Sequence, residues 1–369
     1  MLHHDPRMEK WAETLVTWCT AVQPGESVAI VGSTAAEPLL RAIHRAVLRH
    51  GGHPVFVLDL PGAEADLYAL ASDDQLAWIG PLEHFPAEHA DVRIIVEADA
   101  NTRALTSVPP GRQALRARAR RDLRLAAMRR AADGRHRWSL TMYPTDALAM
   151  DAGMSTDEFA AFLFEACCLD HDDPAAAWRA LSAEQARLIA WLEPRRDVHL
   201  TGPGTDLRLS VAGRRWINSD GKRNFPSGEI FTGPVEDSAE GVVRFSYPVM
   251  TEGREIRDIR LRFAAGLVVD AAAAAGEDFL VSALDTDPGA RRLGEFAFGA
   301  NPAIQRFTGS ILLDEKIGGT VHMALGAGYP DSGSRNESAI HWDMICDLRQ
   351  AGEATVDGVP FLRGGRFLV

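Results

Sequence analysis

The chain has 369 residues, which is enough for two domains of roughly 100–200 residues with sizeable buried cores. Its composition, 46% hydrophobic and 24% charged, is typical of a globular protein, and its formal net charge is -12 at pH 7. Because phosphate groups bind to basic surfaces, this acidity argues against nucleic acid as the main partner.

The cysteines and the first residues bear on cellular location. The four cysteines, Cys19, Cys167, Cys168 and Cys346, follow no zinc-ligand spacing and are expected to be reduced and buried. The N-terminal residues lack a basic start followed by an apolar run, and no stretch approaches the ~20 apolar residues of a membrane span. We therefore expect a cytoplasmic protein without a membrane partner.

Helix and strand patterns alternate in the first half of the chain. The predicted helices cover Trp11–Val22 and Ala35–His50, and the predicted strands cover Ser27–Val31, His53–Leu60, Val92–Glu97 and Arg137–Tyr143. Strands separated by helices indicate βαβ units and a largely parallel sheet. The turn GSTAAEP after the first strand lacks both the GxGxxG pattern and the P-loop lysine, so it does not favour a nucleotide site.

Arginines are concentrated between residues 110 and 137, where leucine and methionine are interleaved with them. One interpretation is a patch that binds anions or nucleic acid. The other is a solvated helix face on which the aliphatic arginine stems cover apolar surface. The acidity of the rest of the chain favours the solvated face.

The pattern of the sequence changes after Pro194. Before it, Ser155–Leu169 and Ala175–Leu192 are predicted helices; after it, the predicted strands are His199–Leu200, Leu207–Val211, Val242–Tyr247 and Ile256–Phe263, and the predicted helix is Ala271–Leu284. We therefore predict an α/β N-terminal domain with a largely parallel sheet over residues 1–194. An α+β C-terminal domain that carries the metal site is predicted over residues 195–369.

The segment AIHWDMIC carries the sharpest chemical pattern. Its even-numbered residues from Ile340 onward are apolar and would share one face of a strand, while His341, Asp343 and Asp347 share the other. An imidazole and a carboxylate two residues apart on one face can bind one metal ion together. An exposed polar face would show the same pattern.

Other acidic and imidazole side chains stand beside glycine or in apolar runs. They are Glu229 in SGEIFTGP, Glu295 in LGEFAFG, Glu315 in DEKIGG and His322 in TVHMALG, with Tyr329 following in GYP. Singly, each glutamate could cap a helix or pair with an arginine, and the histidine could be a core residue. Together with Asp343, the three glutamates supply four negative charges, which would balance two divalent ions in a two-metal hydrolase.

Five ordered runs resemble the thermophilic aminopeptidase T family, the M29 metallopeptidases. The runs are GPGTDL (202–207), NFPSGEIFTGP (224–234), LGEFAFGANP (293–302), DEKIGGTVHMALGAGYP (314–330) and NESAIHWDM (336–344). The N-terminal half resembles the family only in its α/β pattern. The resemblance implies a two-domain homodimer that uses two divalent ions, zinc or cobalt with manganese or iron as further options. It also implies release of N-terminal amino acids from peptides through a metal-activated water.

Matched position by position, the resemblance implies metal ligands at Glu229, Glu295, Glu315, His322, His341 and Asp343. Glu295 matches the carboxylate that bridges both ions and is our first choice for general base, with Glu315 or Glu337 as alternatives. Tyr329 matches a tyrosine near the metals that binds an ion or polarises the substrate carbonyl.

Two departures from the family pattern concern the loops of the predicted site. The spacing from Glu315 to His322 is slightly longer than in the family, and the loop between Tyr329 and His341 is shorter. The longer spacing makes Glu315 the least secure ligand, and the shorter loop is expected to reshape the substrate pocket.

Two other functions fit parts of the sequence. The first is a ring-cleaving dioxygenase resembling 2,5-dihydroxypyridine dioxygenase, which holds one non-haem iron with two histidines and one carboxylate. The glutamate at position 295 favours hydrolysis over this alternative. The second is a non-catalytic binding protein that uses the arginine-rich stretch. Whether the substrate is a peptide or another small molecule is not specified by the residues.

Overall fold

The computed structural model describes residues 5–251 and 254–369, which form two compact units. The first unit contains the described residues up to Trp178 together with Gly221–Pro226. The second contains the described residues of Arg179–Asp220 and Ser227–Val369. A domain boundary between residues 194 and 195 stays a prediction.

The α-helices in the described residues are α1 (Arg7–Thr14), α2 (Glu37–Arg49), α3 (Ala63–Leu70), α4 (Asp73–Ala77), α5 (Pro81–His84), α6 (Pro110–Ala119), α7 (Arg121–Ala132), α8 (Asp146–Asp151), α9 (Thr156–Ala166), α10 (Pro174–Leu192), α11 (Glu277–Leu284) and α12 (Ile311–Asp314). Local sequence sets where several of them begin. Before α9, the Ser155 hydroxyl accepts from the Glu158 amide while the Glu158 carboxylate accepts from the Ser155 amide, which forms a capping box.

The strands are β1 (Ser27–Ser33), β2 (His53–Asp59), β3 (Val92–Glu97), β4 (Arg137–Met142), β5 (Asp197–Gly202), β6 (Thr205–Ser210), β7 (Ile217–Ser219), β8 (Asn224–Phe225), β9 (Glu229–Thr232), β10 (Glu240–Arg244), β11 (Val249–Thr251), β12 (Arg254–Ile256), β13 (Arg260–Ala264), β14 (Leu267–Ala272), β15 (Leu293–Gly299), β16 (Thr320–Gly326), β17 (His341–Asp347), β18 (Glu353–Val356), β19 (Val359–Arg363) and β20 (Arg366–Phe367).

The first unit is built on a parallel five-stranded sheet in the order β2-β1-β3-β4-β8. Its first four strands are the four strands predicted for the N-terminal half, and the α/β prediction is confirmed. Val28, Ala29 and Ile30 of β1 are fully buried, because a central parallel strand is covered on both faces. Among the described residues, no helix combines the length and apolar character needed to cross a membrane.

The arginine-rich helices α6 and α7 use part of their charge inside the first unit. Arg116, which is 6% exposed, donates to two backbone carbonyls and to both carboxylate oxygens of Glu83 at 3.0 Å. Arg120 donates to the same carboxylate, and Arg130 donates to three further carbonyls. Neither sequence interpretation anticipated these internal bonds. Four other arginines of these helices are exposed, as expected of a solvated face: Arg118, Arg121, Arg124 and Arg129.

The described residues of the second unit form three antiparallel sheets, most of α10 and the helices α11 and α12, which confirms the α+β prediction. The smallest sheet is the pair β11-β12. An eight-stranded sheet has the order β14-β13-β10-β6-β5-β18-β19-β20, and a five-stranded sheet has the order β17-β16-β15-β9-β7. Buried side chains from both sheets form one apolar cluster, which includes Leu261, Phe263, Phe296, Phe298, Met323 and Met344. This core fixes the strands that carry the predicted metal ligands.

Two secondary-structure predictions in the second half were wrong. The predicted helix Ala271–Leu284 is split, because its first residues extend β14 to Ala272 and pair with β13, and only Glu277–Leu284 is helical. Alanine favours helices in isolation, but pairing with the neighbouring strand overrides that preference here. The predicted strand Ile256–Phe263 is interrupted at Asp258, whose φ of 53° is incompatible with a strand, so β12 and β13 form instead.

Candidate metal centre

Four adjacent strands of the five-stranded sheet bring five of the six predicted ligands together. Glu229 opens β9, Glu295 lies in β15, His322 lies in β16, and His341 and Asp343 lie in β17. Residues directly opposite each other in paired strands point to the same side of a sheet. Ala324 of β16 pairs with both Glu295 and Asp343, so these two carboxylates share one face.

Small residues keep this face of the sheet open. Ala297 stands opposite His322, and Ala324 stands between Glu295 and Asp343. A larger side chain at either alanine would fill the space above the sheet into which the ligand groups point. The other face of the same strands packs into the apolar core of the second unit.

A β-bulge at Gly294 sets the direction of Glu295. The pairing of β15 with β16 shifts register between Leu293 and Glu295. A Cβ atom at Gly294 would lie 2.3 Å from the Gly326 carbonyl oxygen, so glycine is needed for this close approach of the two strands. The glycine before the glutamate in LGEFAFG therefore has a structural reason.

The sixth predicted ligand, Glu315, follows the short helix α12 in a loop that Asp314 anchors. The Asp314 carboxylate accepts hydrogen bonds from the Thr308 amide and hydroxyl at 2.7 and 2.8 Å, and from the Gly309 amide at 2.8 Å. Burial raises the pKa of Asp314 to about 7, although these donors act in the opposite direction. The anchored loop brings Glu315 to the other ligands despite the longer spacing to His322.

The six side chains converge as two groups of three. The first triad is Glu229, Glu315 and His322, and the second triad is Glu295, His341 and Asp343. Within each triad, one oxygen or nitrogen atom of every residue lies within 4.8 Å of the others. Each triad offers two carboxylates and one imidazole, a donor set that suits zinc, cobalt, manganese or iron.

Glu295 lies between the two triads. Its Oε1 atom is 3.4 Å from His322 Nε2, and its Oε2 atom is 3.4 Å from His341 Nε2. Each oxygen of one carboxylate therefore faces the imidazole of a different triad. This arrangement suits a carboxylate that bridges two ions.

Several atoms of the triads are buried without a hydrogen-bond partner. They are Glu229 Oε2, Asp343 Oδ1 and both ring nitrogens of His322. The contact of 3.3 Å between His322 Nε2 and Glu229 Oε2 lacks hydrogen-bond geometry. An unpaired buried polar atom is costly and rare in folded proteins. Lone pairs that converge without a donor fit a cation, so the residues present suit divalent metal ions.

A backbone hydrogen bond orients His341. Its Nδ1–H donates to the Ala327 carbonyl oxygen at 2.7 Å, and a carbonyl can only accept, so the proton is on Nδ1. The other ring nitrogen, Nε2, is 3.4 Å from Glu295 Oε2 and 3.4 Å from Asp343 Oδ2. The imidazole is therefore oriented with Nε2 toward the second triad, as in many metal sites.

The charges of the triads shift one another's pKa values. Burial lowers the pKa of His341, but the carboxylates of Asp343 and Glu295 raise it overall to about 11. Burial likewise lowers the pKa of His322, and Glu295 and Glu229 raise it overall. In the opposite sense, burial raises the pKa of Glu295, whereas the two imidazoles lower it overall. A buried cluster with this excess of negative charge favours cations.

Tyr329 borders the second triad. Its ring centroid lies 5.2 Å from that of His341 and 5.4 Å from that of Phe231. The residue is 48% exposed. Desolvation raises the pKa of Tyr329, and the negative charges of Glu295 and Asp343 raise it further. Its hydroxyl is therefore protonated at neutral pH and available as a hydrogen-bond donor.

Two acidic residues considered from the sequence lie outside both triads. Glu337, an alternative general base, is exposed. Asp347 shares β17 with His341 and Asp343, but it accepts hydrogen bonds from the Arg349 guanidinium at 2.9 and 2.8 Å and from the Tyr247 hydroxyl at 2.9 Å. The oxygens of Asp347 are thus satisfied by protein donors, and the residue is structural.

Lys316 is a charged residue near the triads that the sequence analysis did not predict. It is fully buried, and its Nζ atom lies 3.4 Å from Glu229 Oε1 and also contacts Glu315 Oε1. The sequence signal was a lysine between Glu315 and the apolar Ile317, in a loop already assigned to the site. A buried lysine needs a carboxylate partner, and the two nearest carboxylates belong to the first triad.

A cleft of about 210 Å³ opens beside the second triad. His341 and Asp343 form part of its wall, together with apolar residues that include Pro248, Met250, Phe307 and Ile311. A small molecule in this cleft would therefore contact two of the predicted ligands.

Aminopeptidases have similar sequences over the whole chain. The sequence profile of the thermophilic metalloprotease (M29) family matches residues 4–367. Aminopeptidase T of Thermus thermophilus is 29% identical, with 98% of this chain and 98% of the relative covered. Aminopeptidase 2 of Geobacillus stearothermophilus is also 29% identical, with 98% of each covered. Aminopeptidase T of Thermus aquaticus is 34% identical over 241 residues, which are 56% of this chain and 58% of the relative.

Two solved structures share the fold. Wild-type AmpT from Thermus thermophilus gives a TM-score of 0.86 with 26% identity, and the match covers 98% of this chain and 99% of that chain. The 2,5-dihydroxypyridine dioxygenase from Pseudomonas putida KT2440 gives a TM-score of 0.59 with 14% identity, covering 98% and 97%. The second likeness shows the fold alone.

Proposed function

Because this chain belongs to the thermophilic metalloprotease (M29) family of hydrolases, we propose that it removes N-terminal amino acids from peptides at a centre of two divalent ions. The observation that carries the proposal is the convergence of two triads whose buried lone pairs have no hydrogen-bond donor. The roles of the individual residues are part of the proposal.

The two triads provide a matched set of ligands for two ions. The first triad would hold one ion and the second triad the other, and Glu295 would be available to both because its two oxygens face the imidazoles of different triads. The four carboxylates balance the charge of two divalent ions. Zinc and cobalt are the proposed metals, and the same donors accept manganese or iron. When bound, such ions polarise the scissile carbonyl and lower the pKa of a water molecule toward neutrality.

A carboxylate of the centre must accept the proton that water loses. Glu295 and Glu315 are the acceptors that the geometry favours, and they differ in their surroundings. Both oxygens of Glu295 face imidazoles, which suits a bridging ligand. Glu315 contacts Lys316 through Oε1 only, and its side chain is 14% exposed. Its Oε2 atom is therefore freer to accept a proton than either oxygen of Glu295.

Tyr329 is proposed to stabilise the reacting carbonyl. Its raised pKa keeps a proton on the hydroxyl, which can donate to the carbonyl oxygen of the substrate. Negative charge develops on that oxygen in the transition state, so the hydrogen bond strengthens as the reaction proceeds. The packing of the ring against His341 and Phe231 holds the hydroxyl near the second triad.

The cleft beside His341 and Asp343 is proposed to receive the first residue of the peptide. Its apolar wall, which includes Phe307 and Ile311, suits an uncharged side chain. A free α-amino group offers a lone pair that an ion of the centre would bind, and an acylated amino terminus lacks this lone pair, so a blocked amino terminus should bind poorly. The family resemblance also leads us to propose a homodimer, which light scattering would report as twice the chain mass of 40.1 kDa.

Metal analysis combined with a substrate screen tests this function. Purified protein should hydrolyse aminoacyl-p-nitroanilides when cobalt or zinc is present, and Glu295→Ala should abolish the reaction. The matched N-acetylated substrates should not react, because they lack a free amino group. One iron per chain with ring cleavage of dihydroxypyridines would contradict the proposal. Neither triad contains the two histidines and one carboxylate of such an iron site, so this alternative is not favoured.

A further inference from the structure

In the described residues, a lysine pairs with the first triad but not with the second. Lys316 is fully buried, and its ammonium group lies between the carboxylates of Glu229 and Glu315. In the second triad, the ion pairs within the described part of the chain are with histidine alone, His341 for Asp343 and both imidazoles for Glu295. The first triad thus has an internal cation that the second lacks.

The backbone around Lys316 holds this cation in place. The Lys316 amide donates to the Leu313 carbonyl at 3.1 Å, and the Lys316 carbonyl accepts from the Asn301 amide at 3.2 Å. Asp314, two residues before Lys316, is anchored through its carboxylate to Thr308 and Gly309. A side chain with no exposed surface on such a fixed turn stays at the triad, where its charge acts on every ion that enters.

Charge bookkeeping shows what the lysine does to metal binding. With neutral imidazoles, two carboxylates give each triad a charge of minus two. The ammonium contacts carboxylates of the first triad, where it reduces the charge to minus one, and it acts on Asp343 of the second triad only through longer-range attraction. A divalent ion in the first triad also shares Glu229 and Glu315 with the ammonium and is repelled by it. Repulsion between charges a few ångströms apart is strong where water is excluded.

On the basis of the two-ion centre proposed above, we propose that Lys316 is a resident cation that makes the first triad the weaker metal site. The second triad then fills at low metal concentration, and the first fills only at higher concentration. While the first triad lacks an ion, the ammonium holds Glu229 and Glu315 in position. Lys316 therefore acts as a positioning residue that sets the metal concentration at which the centre becomes complete.

Calorimetric titration of the metal-stripped full-length protein with cobalt tests the proposal without measuring catalysis. The wild type should show a tight and a weak binding phase that differ by at least about tenfold in dissociation constant. Lys316→Met keeps an unbranched side chain but removes the charge. It should tighten the weak phase at least about tenfold and leave the tight phase within about threefold of the wild-type value.

Two ligand variants assign the phases. Glu315→Gln should remove the weak phase, and Asp343→Asn should remove the tight phase. If Lys316→Met does not fold, Lys316→Gln replaces it as the neutral variant. The two ligand variants keep Lys316 and show which triad binds cobalt first. Loss of the tight phase in Glu315→Gln would overturn the proposal.

Other outcomes separate this inference from the proposed function. Unchanged affinities in a folded Lys316 variant, or a weak phase that weakens further, would overturn the role of Lys316 but leave the two-ion centre intact. The absence of any cobalt binding by the wild type would overturn the proposed function itself, and the inference with it.

Discussion

Buried charge is handled differently in the arginine-rich helices of the first unit and in the metal centre of the second. In the first unit, Glu83 accepts hydrogen bonds from Arg116, Arg120 and the Gly80 amide, so both of its oxygens have donors. In the second unit, Glu229 has a buried oxygen with no donor, and the fully buried His322 has no hydrogen-bond partner at either ring nitrogen.

This difference distinguishes a structural ionic cluster from a functional one. Both regions looked similar in the sequence, as charged residues between apolar ones. The folded chain satisfies Glu83 with protein donors, because only then does the buried charge avoid a large desolvation cost. In the triads, buried atoms of Glu229, His322 and Asp343 have no hydrogen-bond partner in the protein, which fits a site whose partners are ions and substrate.

Among the variants that test this comparison, the largest effect is expected from a substitution of Glu295. Glu295→Gln should lower kcat/KM for aminoacyl-p-nitroanilides by about 10³-fold or more, since several kcal/mol of transition-state charge stabilisation depend on bound ions. Mass spectrometry of the purified variant should show reduced metal content. Circular dichroism should match the wild type. A variant that keeps its metal and its activity would contradict the bridging role of Glu295.

The counterpart in the first unit is Glu83→Gln, which should change stability rather than catalysis. Breaking its pair with the buried Arg116 should lower the free energy of unfolding by about 3 kcal/mol. Urea unfolding measures this loss, and activity per folded molecule should be unchanged. If the variant lost metal but not stability, the division between structural and functional clusters would be wrong.

A smaller catalytic effect is expected for Tyr329→Phe. Loss of one preorganised donor to the reacting carbonyl should lower kcat by about 100-fold. Metal content and KM should change little, because the ring still packs against His341 and Phe231. A fall in metal content with unchanged kcat would instead make Tyr329 a ligand.

The smallest effect concerns Asp347, the satisfied carboxylate on the same strand as Asp343. Burial raises the pKa of Asp347, but the Arg349 guanidinium lowers it overall. A depressed pKa contributes stability above the unfolded value of about 3.9, and this stability is lost as the pH falls below it. Asp347→Asn should therefore reduce by about 1 kcal/mol the stability that the protein loses on acidification, as measured by thermal unfolding at a series of pH values. Asp270→Asn, at an exposed position, should leave this loss unchanged. An equal loss of stability on acidification in the wild type and in Asp347→Asn would show that the ion pair contributes nothing to stability.

The fold class and the convergence of six side chains could be predicted from the sequence. The residues concerned stand in short runs whose local pattern is enough to indicate their structure. LGEFAFG contains both the glycine of a β-bulge and the carboxylate that the bulge directs. The alternation in AIHWDMIC separates His341 and Asp343 from the core-facing Trp342 and Met344. These features need only strand geometry to be recognised.

Features that depend on contacts between distant segments were not predictable. The partners of Arg116 lie more than thirty residues away in the chain, so its helix gave no sign of a buried ion pair. The pairing of β14 with β13, which overrides the helical preference of Ala271–Ala272, also comes from a neighbouring strand. Lys316 was visible in the sequence, but its burial became evident only when the loop was placed against Glu229.

Anomalous diffraction from crystals of the protein saturated with cobalt tests the central claim most directly. The predicted result is two cobalt peaks on the open face of the five-stranded sheet, one in each triad. Glu295 should bind both ions, at about 2.0–2.2 Å from each. Cobalt peaks away from both triads in crystals of a protein that still hydrolyses peptides would contradict the assignment of the centre.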